Sequence, residues 1–349
     1  MRILIVRLGA FGDIVHALPV VAALRDRFPD ATIDWLVDGR YEALLHLVPV
    51  VDTLIVVAAR HGGGPVEGTP SVVRFAGARG IVRAVTTLRR ARYDVAFDLQ
   101  GLIKSAVLAR LSGARRVVGF ARGHLRESAA GLFYSERATP LAAGHVVHKN
   151  LSVLATLGIH DAGVQFPFAE VPGSVVEMIR RDLGSGPDGD VAILVPGAGW
   201  PNKRWPANRF GALAATLRER WGLLSAVLWG PGERDLAERV VASASGAAVV
   251  APSTTLADLI AVGRAARLVV AGDSGPLHLA AAVGAPIVAL LGPTDPVRNG
   301  PWHPDDERVS RYDVCECHYR RRCARAVPCI DDILVEEVVD AVQRRLARR

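Results

Sequence analysis

What most constrains this chain is an alternation of apolar runs of strand length with amphipathic stretches of helix length, which runs through the first half and then restarts. Strand-like runs lie at 3–6, 32–37, 53–57, 95–99 and 116–119, with helical periodicity at 14–27, 41–47, 81–90 and 103–111 between them. Strands spaced by amphipathic helices imply βαβ units and a parallel sheet covered on both faces. Residues 60–80, rich in Gly and Pro, read as one long loop. After a proline-marked stretch at 166–172 and a glycine-rich one at 184–190, strands recur at 191–195, 225–229, 247–250, 268–271 and 287–291. Helices are expected at 207–220, 234–243, 256–265 and 276–283, and a last one at 334–348 follows a cysteine-containing loop. At 349 residues the chain exceeds one ordinary core. The expected division is 1–172, 173–330 and a helical tail, 331–349, placed back on the first domain. The fold class is α/β, with two doubly wound domains facing each other and a ligand cleft at the carboxyl ends of their strands.

Half of the residues are hydrophobic and 22% are charged, as in a globular enzyme. No apolar run approaches the roughly 20 residues of a membrane helix, and the first residues form a strand candidate without a signal-peptide cleavage pattern. The expected location is the cytosol. The formal charge of +7 is concentrated at 74–92, 110–126, 320–325 and 344–349. Such clusters are either solvated helix faces or surfaces for anionic partners: nucleic acid, an acidic membrane or phosphorylated ligands. Aromatic residues make up only 6% and do not interleave with the basic clusters, which argues against a nucleic-acid stacking platform.

The stretch RLGAFGDIVHALP, residues 7–19, turns from the first strand into a helix through Gly9 and Gly12 and places Asp13 at the helix start. Free N–H groups there favour an anion. Asp13 is therefore either a plain N-cap or a base aimed at a ligand. In the second half, VPGAGWPNKRWP (195–206) offers Lys203 and Arg204 after a glycine pair, a composition suited to a diphosphate, or simply to a loop with solvated cations. LWGPGERD (228–235) sets Glu233 after a glycine turn, as a ribose ligand or as an ordinary helix-start carboxylate. The richest segment, 269–296, ends a buried strand in Gly272-Asp273-Ser274-Gly275 and begins a helix at Pro276. There the N–H groups from Gly275 to Leu277 face the cleft, Asp273 is placed to accept from sugar hydroxyls, and Thr294 lies near the same edge. His278, in the first helical turn, is packed, capping or catalytic.

No P-loop, G-x-S-x-G elbow or H-E-x-x-H pattern occurs. Gly9 and Gly12 do not form a dinucleotide fingerprint, although Asp34 and Asp38 keep a dehydrogenase open as possible ribose ligands. Cys315, Cys317, Cys323 and Cys329 crowd one loop, with spacings foreign to standard zinc sites and with Arg320, Arg321 and Arg322 expected to repel a cation. A reduced surface loop is expected.

Together RLGAFGDIVHALPVVAALR, YDVAFDLQGLIKSAVLARL, GHLRESAAGLFYSER, GAGWPNKRWP, GDSGPLHLAAA and LGPTDP resemble the ADP-heptose:lipopolysaccharide heptosyltransferases, glycosyltransferase family nine, over nearly the whole chain. DLQGLIKSA and RESAAGLFY lean towards heptosyltransferase I, the cysteine pattern towards heptosyltransferase II. The resemblance implies a GT-B fold and inverting transfer from ADP-L-glycero-D-manno-heptose to the Kdo and inner core of lipopolysaccharide, with no metal or other cofactor. It also implies Kdo-lipid A or a related anionic glycolipid as acceptor, and a peripheral position on the inner face of the inner membrane. Asp13 falls on the family's base, Lys203 on its phosphate-binding Lys and Asp273 on its sugar-binding Asp. Ser274, Gly275, Pro276 and Leu277 fall on the turn that receives the diphosphate, with His278 and Thr294 beside it and Glu233 as a ribose ligand. Gly12, Arg60, Arg126 and His145 are implied at the acceptor. The chain departs from the family in a cation-poor loop after the third strand, and in Lys149 standing where an Arg is expected. Open alternatives are a relative using another nucleotide sugar or acceptor, a nucleotide-sugar epimerase on the same two-domain plan, and a nucleotide-binding module without turnover.

Overall fold

In the computed structural model, whose described residues are 1–58, 70–140, 144–323 and 325–348, each half of the chain builds its own parallel sheet. The chain divides into compact units Met1–Ala169 and Glu170–Arg349. The first contains β1 (Arg2–Val6), α1 (Phe11–Val15), α2 (Leu18–Arg27), β2 (Thr32–Asp38), α3 (Glu42–Leu45), β3 (Thr53–Val57), β4 (Ser71–Phe75), α4 (Gly77–Ala91), β5 (Val95–Asp98), α5 (Ile103–Leu111), β6 (Arg116–Phe120), β7 (Glu136–Ala138) and α6 (Val146–Leu151). Its strands run parallel in the order β4-β3-β2-β1-β5-β6-β7. The second contains α7 (Ser174–Asp182), β8 (Val191–Val195), α8 (Ala207–Trp221), β9 (Leu224–Val227), α9 (Arg234–Ala242), β10 (Ala248–Val250), α10 (Leu256–Ala265), β11 (Leu268–Gly272), α11 (Gly275–Ala282), β12 (Ile287–Leu291), α12 (Pro296–Asn299), β13 (Glu307–Ser310) and α13 (Val335–Ala347). Its parallel order is β10-β9-β8-β11-β12-β13.

The near-continuous apolar strands follow from this plan, since helices cover both faces of each sheet. β8, β11 and β12 are buried at every residue. Each sheet also has a switch point, where successive crossovers leave in opposite directions and the loops above the strand ends part. In the first sheet it lies between β1 and β5, in the second between β8 and β11.

Three expectations need correction and a fourth needs refining. The helix expected at 14–27 is two, because Pro19 has no N–H and is accommodated in the first turn of a new helix, α2. The loop expected at 60–80 contains the edge strand β4, paired with β3 in register Ile55↔Val73; residues 59–69 lie outside the described residues. The tail helix α13 is not a separate element but an integral part of the second unit. Its Val338, Val339, Ala341 and Val342 share one core with Leu213, Leu217 and Val309, and Arg345 pairs with the buried Asp306 at 2.8 Å. Finally, the cysteine loop does lie at the surface with its thiols free, Val314, Tyr319 and Val327 being exposed, but the sulfurs turn inward: Cys315, Cys317 and Cys329 are buried.

Candidate functional site

In the first unit the register Val6↔Asp98 brings the loops after β1 and β5 up side by side. The Leu8 N–H donates to Gln100 Oε1 at 2.9 Å, and the buried Arg7 guanidinium donates to the Leu99 carbonyl. Asp98 builds the turn beneath them, accepting from the Gln100 N–H (2.9 Å) and from the Ser105 (3.0 Å) and Tyr134 (2.8 Å) hydroxyls. Burial pushes its carboxyl up against these bonds. Asp13 stands in the first turn of α1, where its Oδ2 lies 2.6 Å from Arg7 Nη2 and accepts from the Ala10 N–H at 3.3 Å. Its Oδ1 makes no hydrogen bond among the described residues, and the side chain is 33% exposed. One oxygen is thus anchored by a buried cation, and the other has no partner among the described residues.

His145 caps α6, with Nδ1 accepting from the Val147 N–H at 3.2 Å, and its ring meets His16 of the α1–α2 junction edge-on at 5.2 Å. Gly12 lies within α1, its carbonyl accepting from the His16 N–H at 2.9 Å. Arg126 is exposed, between the single turns Arg122–His124 and Ser128–Phe133 that follow β6. Arg60 lies outside the described residues. Lys149 donates to the His124 carbonyl at 2.6 Å and sits 4.6 Å over the Phe120 ring. The two dehydrogenase candidates are engaged within the fold: Asp34 accepts from the Tyr93 hydroxyl at 2.6 Å, and Asp38 pairs with Arg40 at 2.9 Å.

In the second unit the register Ala271↔Val195 sets the loops after β8 and β11 side by side. Gly272 permits their contact, because a side chain there would bring its first carbon within 2.5 Å of the Lys203 carbonyl oxygen. Asp273 is the hub. Its Oδ2 pairs with Lys203 Nζ and accepts from the Thr294 hydroxyl at 2.6 Å, and its Oδ1 meets His278 Nε2 at 3.0 Å. Burial opposes ionisation of this carboxyl, but the His278 and Lys203 hydrogen bonds and charges outweigh it and hold the group well below the usual carboxylate range. Lys203 Nζ also lies 4.3 Å from the centre of the Trp200 ring.

Ser274 is the N-cap residue of α11, and its buried hydroxyl has no hydrogen-bond partner among the described residues. The N–H groups of Ser274, Gly275 and Leu277 belong to the same helix start; Pro276 has none, so it shapes the turn without donating. Glu233 joins the Lys203 loop from the next strand. Its Oε1 pairs with Arg204 at 3.1 Å, its Oε2 accepts from the Gly230 N–H at 3.2 Å, and it packs where a side chain at Gly197 would stand. The second switch point therefore gathers a lysine, an anchored carboxylate, an unsatisfied hydroxyl and a helix N-terminus. That set suits an anionic ligand carrying hydroxyl groups.

Residues 81–326 match the profile of Glycosyltransferase family 9 (heptosyltransferase). Lipopolysaccharide heptosyltransferase 1 of Pseudomonas aeruginosa is 32% identical over 304 residues, 86% of this chain and 81% of that protein. The chain belongs to glycosyltransferase family 9. It is a glycosyltransferase, and the resemblance carried by its motifs is borne out. Lipopolysaccharide heptosyltransferase 3 of Escherichia coli is 28% identical over 341 residues, 96% of each protein. Among solved structures, a family 9 glycosyltransferase of Veillonella parvula superposes with a TM-score of 0.77 at 21% identity, covering 100% of this chain and 97% of that one. The Escherichia coli heptosyltransferase WaaC, solved with ADP-2-deoxy-2-fluoro heptose, gives 0.71 at 22% identity, covering 98% and 99%. The fold of this glycosyltransferase is accordingly the GT-B plan of two doubly wound units.

Two site residues escaped the sequence reading, Arg7 and Trp200. A signal for Arg7 was available: a cation directly after four apolar strand residues has to find a counter-charge, and Asp13 lies one loop further on. Trp200 stands in the Lys203 loop, but nothing in the sequence shows which ring a lysine will overlie.

Proposed function

We propose that this glycosyltransferase transfers heptose from ADP-L-glycero-D-manno-heptose to the Kdo of the lipopolysaccharide inner core, with inversion at the anomeric carbon and no catalytic metal. The observation that carries the donor assignment is the buried, unpartnered Ser274 hydroxyl at the start of α11, beside Lys203 and the anchored Asp273. A buried hydroxyl without a partner is costly, and a bound ligand that accepts from it removes that cost. In this reading Lys203 and the N–H groups of Ser274, Gly275 and Leu277 take the diphosphate and stabilise it as leaving group, a role otherwise filled by a metal. Asp273 and Thr294 face the sugar, His278 holds Asp273 in place, and Glu233 accepts from the ribose.

Asp13 acts from the acceptor side. Its Oδ1 takes the proton of the attacking hydroxyl while Arg7 fixes Oδ2, so the base arrives oriented. Gly12, His145 and Arg126 of the described residues, together with Arg60, meet the acidic acceptor. The basic surfaces hold the protein against the anionic inner face of the inner membrane, where a lipid-linked acceptor is presented. Among the described residues no helix is long and apolar enough to cross a membrane. The relatives named heptosyltransferase 1 and 3 support heptose as the sugar, and the 32% identity to a heptosyltransferase 1 supports the first-heptose reaction.

The test is ADP release from ADP-heptose with Kdo-lipid A in one arm and heptosyl-Kdo-lipid A in the other. Release confined to the first arm is expected. Release only in the second assigns the second-heptose reaction, and ADP binding without release in either arm leaves a binding module or another donor–acceptor pair.

A further inference from the structure

The four cysteines are the largest group of chemically active side chains that the transfer reaction leaves unused. Their sulfurs stand in file. Cys329 hydrogen-bonds Cys315, Cys315 Sγ lies 3.5 Å from Cys317 Sγ, and the Cys317 thiol donates to Cys323 Sγ at 3.2 Å. All four are free thiols, and Cys323, at the end of the file, is the one that solvent partly reaches. An oxidant in solution therefore meets Cys323 first, with Cys317 in contact behind it.

The two members of that last pair differ chemically. Burial opposes ionisation of Cys323, but the hydrogen bond from Cys317, the N–H groups of Arg325 and Cys329 and the charge of Arg325 outweigh it and hold the thiol below the ordinary cysteine value. Burial and the neighbouring sulfurs push the Cys317 thiol up to about 12. The thiolate is the nucleophile in thiol chemistry, and an accessible thiol of lowered pKa beside a second cysteine is the arrangement found in redox-sensing pairs.

We propose that Cys323 is a peroxide-reactive thiol that closes a reversible disulfide with Cys317, and that closure withdraws support from the loop carrying Lys203. The Cys323 thiolate attacks one peroxide oxygen, the O–O bond breaks and hydroxide leaves, so that Cys323 becomes a sulfenic acid. That hydroxide takes the Cys317 proton. The Cys317 sulfur then attacks Cys323 Sγ, and the sulfenic oxygen departs as hydroxide and is protonated by solvent. One hydrogen peroxide and two thiols thus give one disulfide and two waters.

The ring so closed contains two contacts that buttress neighbouring loops. The Tyr319 N–H donates to the carbonyl of Pro293, next to Thr294, at 3.0 Å. The Arg320 carbonyl accepts from the side-chain amide of Asn202, next to Lys203, at 2.9 Å. A disulfide holds its sulfurs about 2.05 Å apart, so closure draws this pair together by about 1.1 Å. Cys317 is buried, whereas residues 318–322 are exposed, so the movement falls on them and on Cys323. Asn202 is buried and its Oδ1 has no partner among the described residues, so the bond to Arg320 is what holds this amide. Displacing Arg320 releases it, and with it the turn that carries Lys203.

The full chain, purified under reducing conditions and freed of reductant without oxygen, is to be treated with a small molar excess of hydrogen peroxide, alkylated and mapped by mass spectrometry. One disulfide joining Cys317 to Cys323 is expected, with Cys315 and Cys329 alkylated only after unfolding, and dithiothreitol should reverse it. In Cys317→Ser the sulfenic acid should persist on Cys323 and be trapped by dimedone; Cys323→Ser should form no disulfide. Hydrogen exchange of residues 200–204 should quicken on oxidation of the wild type and not of Cys323→Ser, and the Kd for ADP should rise several-fold. The effect on ADP rests on the donor site proposed above; the thiol mapping and the exchange do not, so a reduced chain that ignores ADP contradicts that site and leaves these two to decide. Thiols that survive the peroxide, a first disulfide between other cysteines or between chains, dimedone on Cys315 or Cys329 in place of Cys323, or exchange at 200–204 that ignores oxidation of the wild type overturns the proposal. The wild-type mapping and exchange decide it even where a variant fails to fold.

Discussion

Replacing Asp273 by Asn removes a charge while keeping volume and an acceptor for the Thr294 hydroxyl. In the wild type the carboxylate side chain is 10% exposed and its Lys203 partner 14%, so solvent screens the pair little. Removing one member of such a pair costs about 3–5 kcal/mol, because the other charge stays buried without compensation. The retained bond to Thr294 places Asp273→Asn at the lower end, about 3 kcal/mol. For a folding unit of this size that corresponds to a drop in Tm of roughly 6–12 °C. Trp200, Trp205, Trp221, Trp229 and Trp302 belong to the second unit and only Trp35 to the first, so tryptophan fluorescence follows the relevant transition. The pH dependence has a fixed sign. The folded carboxyl titrates well below the unfolded value near ~3.9, so its stabilisation is complete above that value and drains away as pH falls towards the folded one. The part of the difference between wild type and variant that this carboxyl sets should therefore shrink below about pH 4. A loss under about 1 kcal/mol at neutral pH, or a difference that grows on acidification, refutes the hub assignment.

Lys203→Ala should weaken ADP-heptose binding by about 1–3 kcal/mol, the range for a lost hydrogen bond to a charged group; unchanged affinity by calorimetry removes Lys203 from the diphosphate site. Transfer should persist in excess EDTA and gain nothing from magnesium or manganese, and activity restored only by either ion contradicts the role given to Lys203 and the α11 N–H groups. The protein should co-sediment with vesicles containing anionic lipid and be released by added salt, since screening acts over roughly 8 Å at physiological ionic strength. Binding that ignores salt, or no binding at all, counts against the basic surfaces as the contact.

The parallel sheets were legible because strands buried on both faces leave unbroken apolar runs: 53–57 and 287–291 were read with the bounds of β3 and β12. The segments that escaped lie at sheet edges. β4, β7 and β13 are short, half-exposed and charged, so no apolar run announces them. α13 read clearly as a helix, but amphipathic periodicity says that a face is buried, not against what. The second switch point was legible in outline because glycine, aspartate and proline there follow the end of an apolar run. Its hydrogen bonds were not, since Lys203, Asp273 and Thr294 meet only through sheet register. The cysteines show the same limit: spacing along the chain hid a convergence that the fold of residues 315–329 produces.

Turnover by Asp13→Asn tests most directly the claim that the turn after β1 supplies the base while the second unit binds the donor. The substitution keeps the shape of the side chain and its contact with the Ala10 N–H but cannot accept the acceptor's proton. General-base catalysis is typically worth ~10²–10⁴-fold, so kcat should fall by that factor while the calorimetric Kd for ADP-heptose stays at the wild-type value. Near-wild-type turnover would leave Asp13 a helix cap tied to Arg7 and contradict the account.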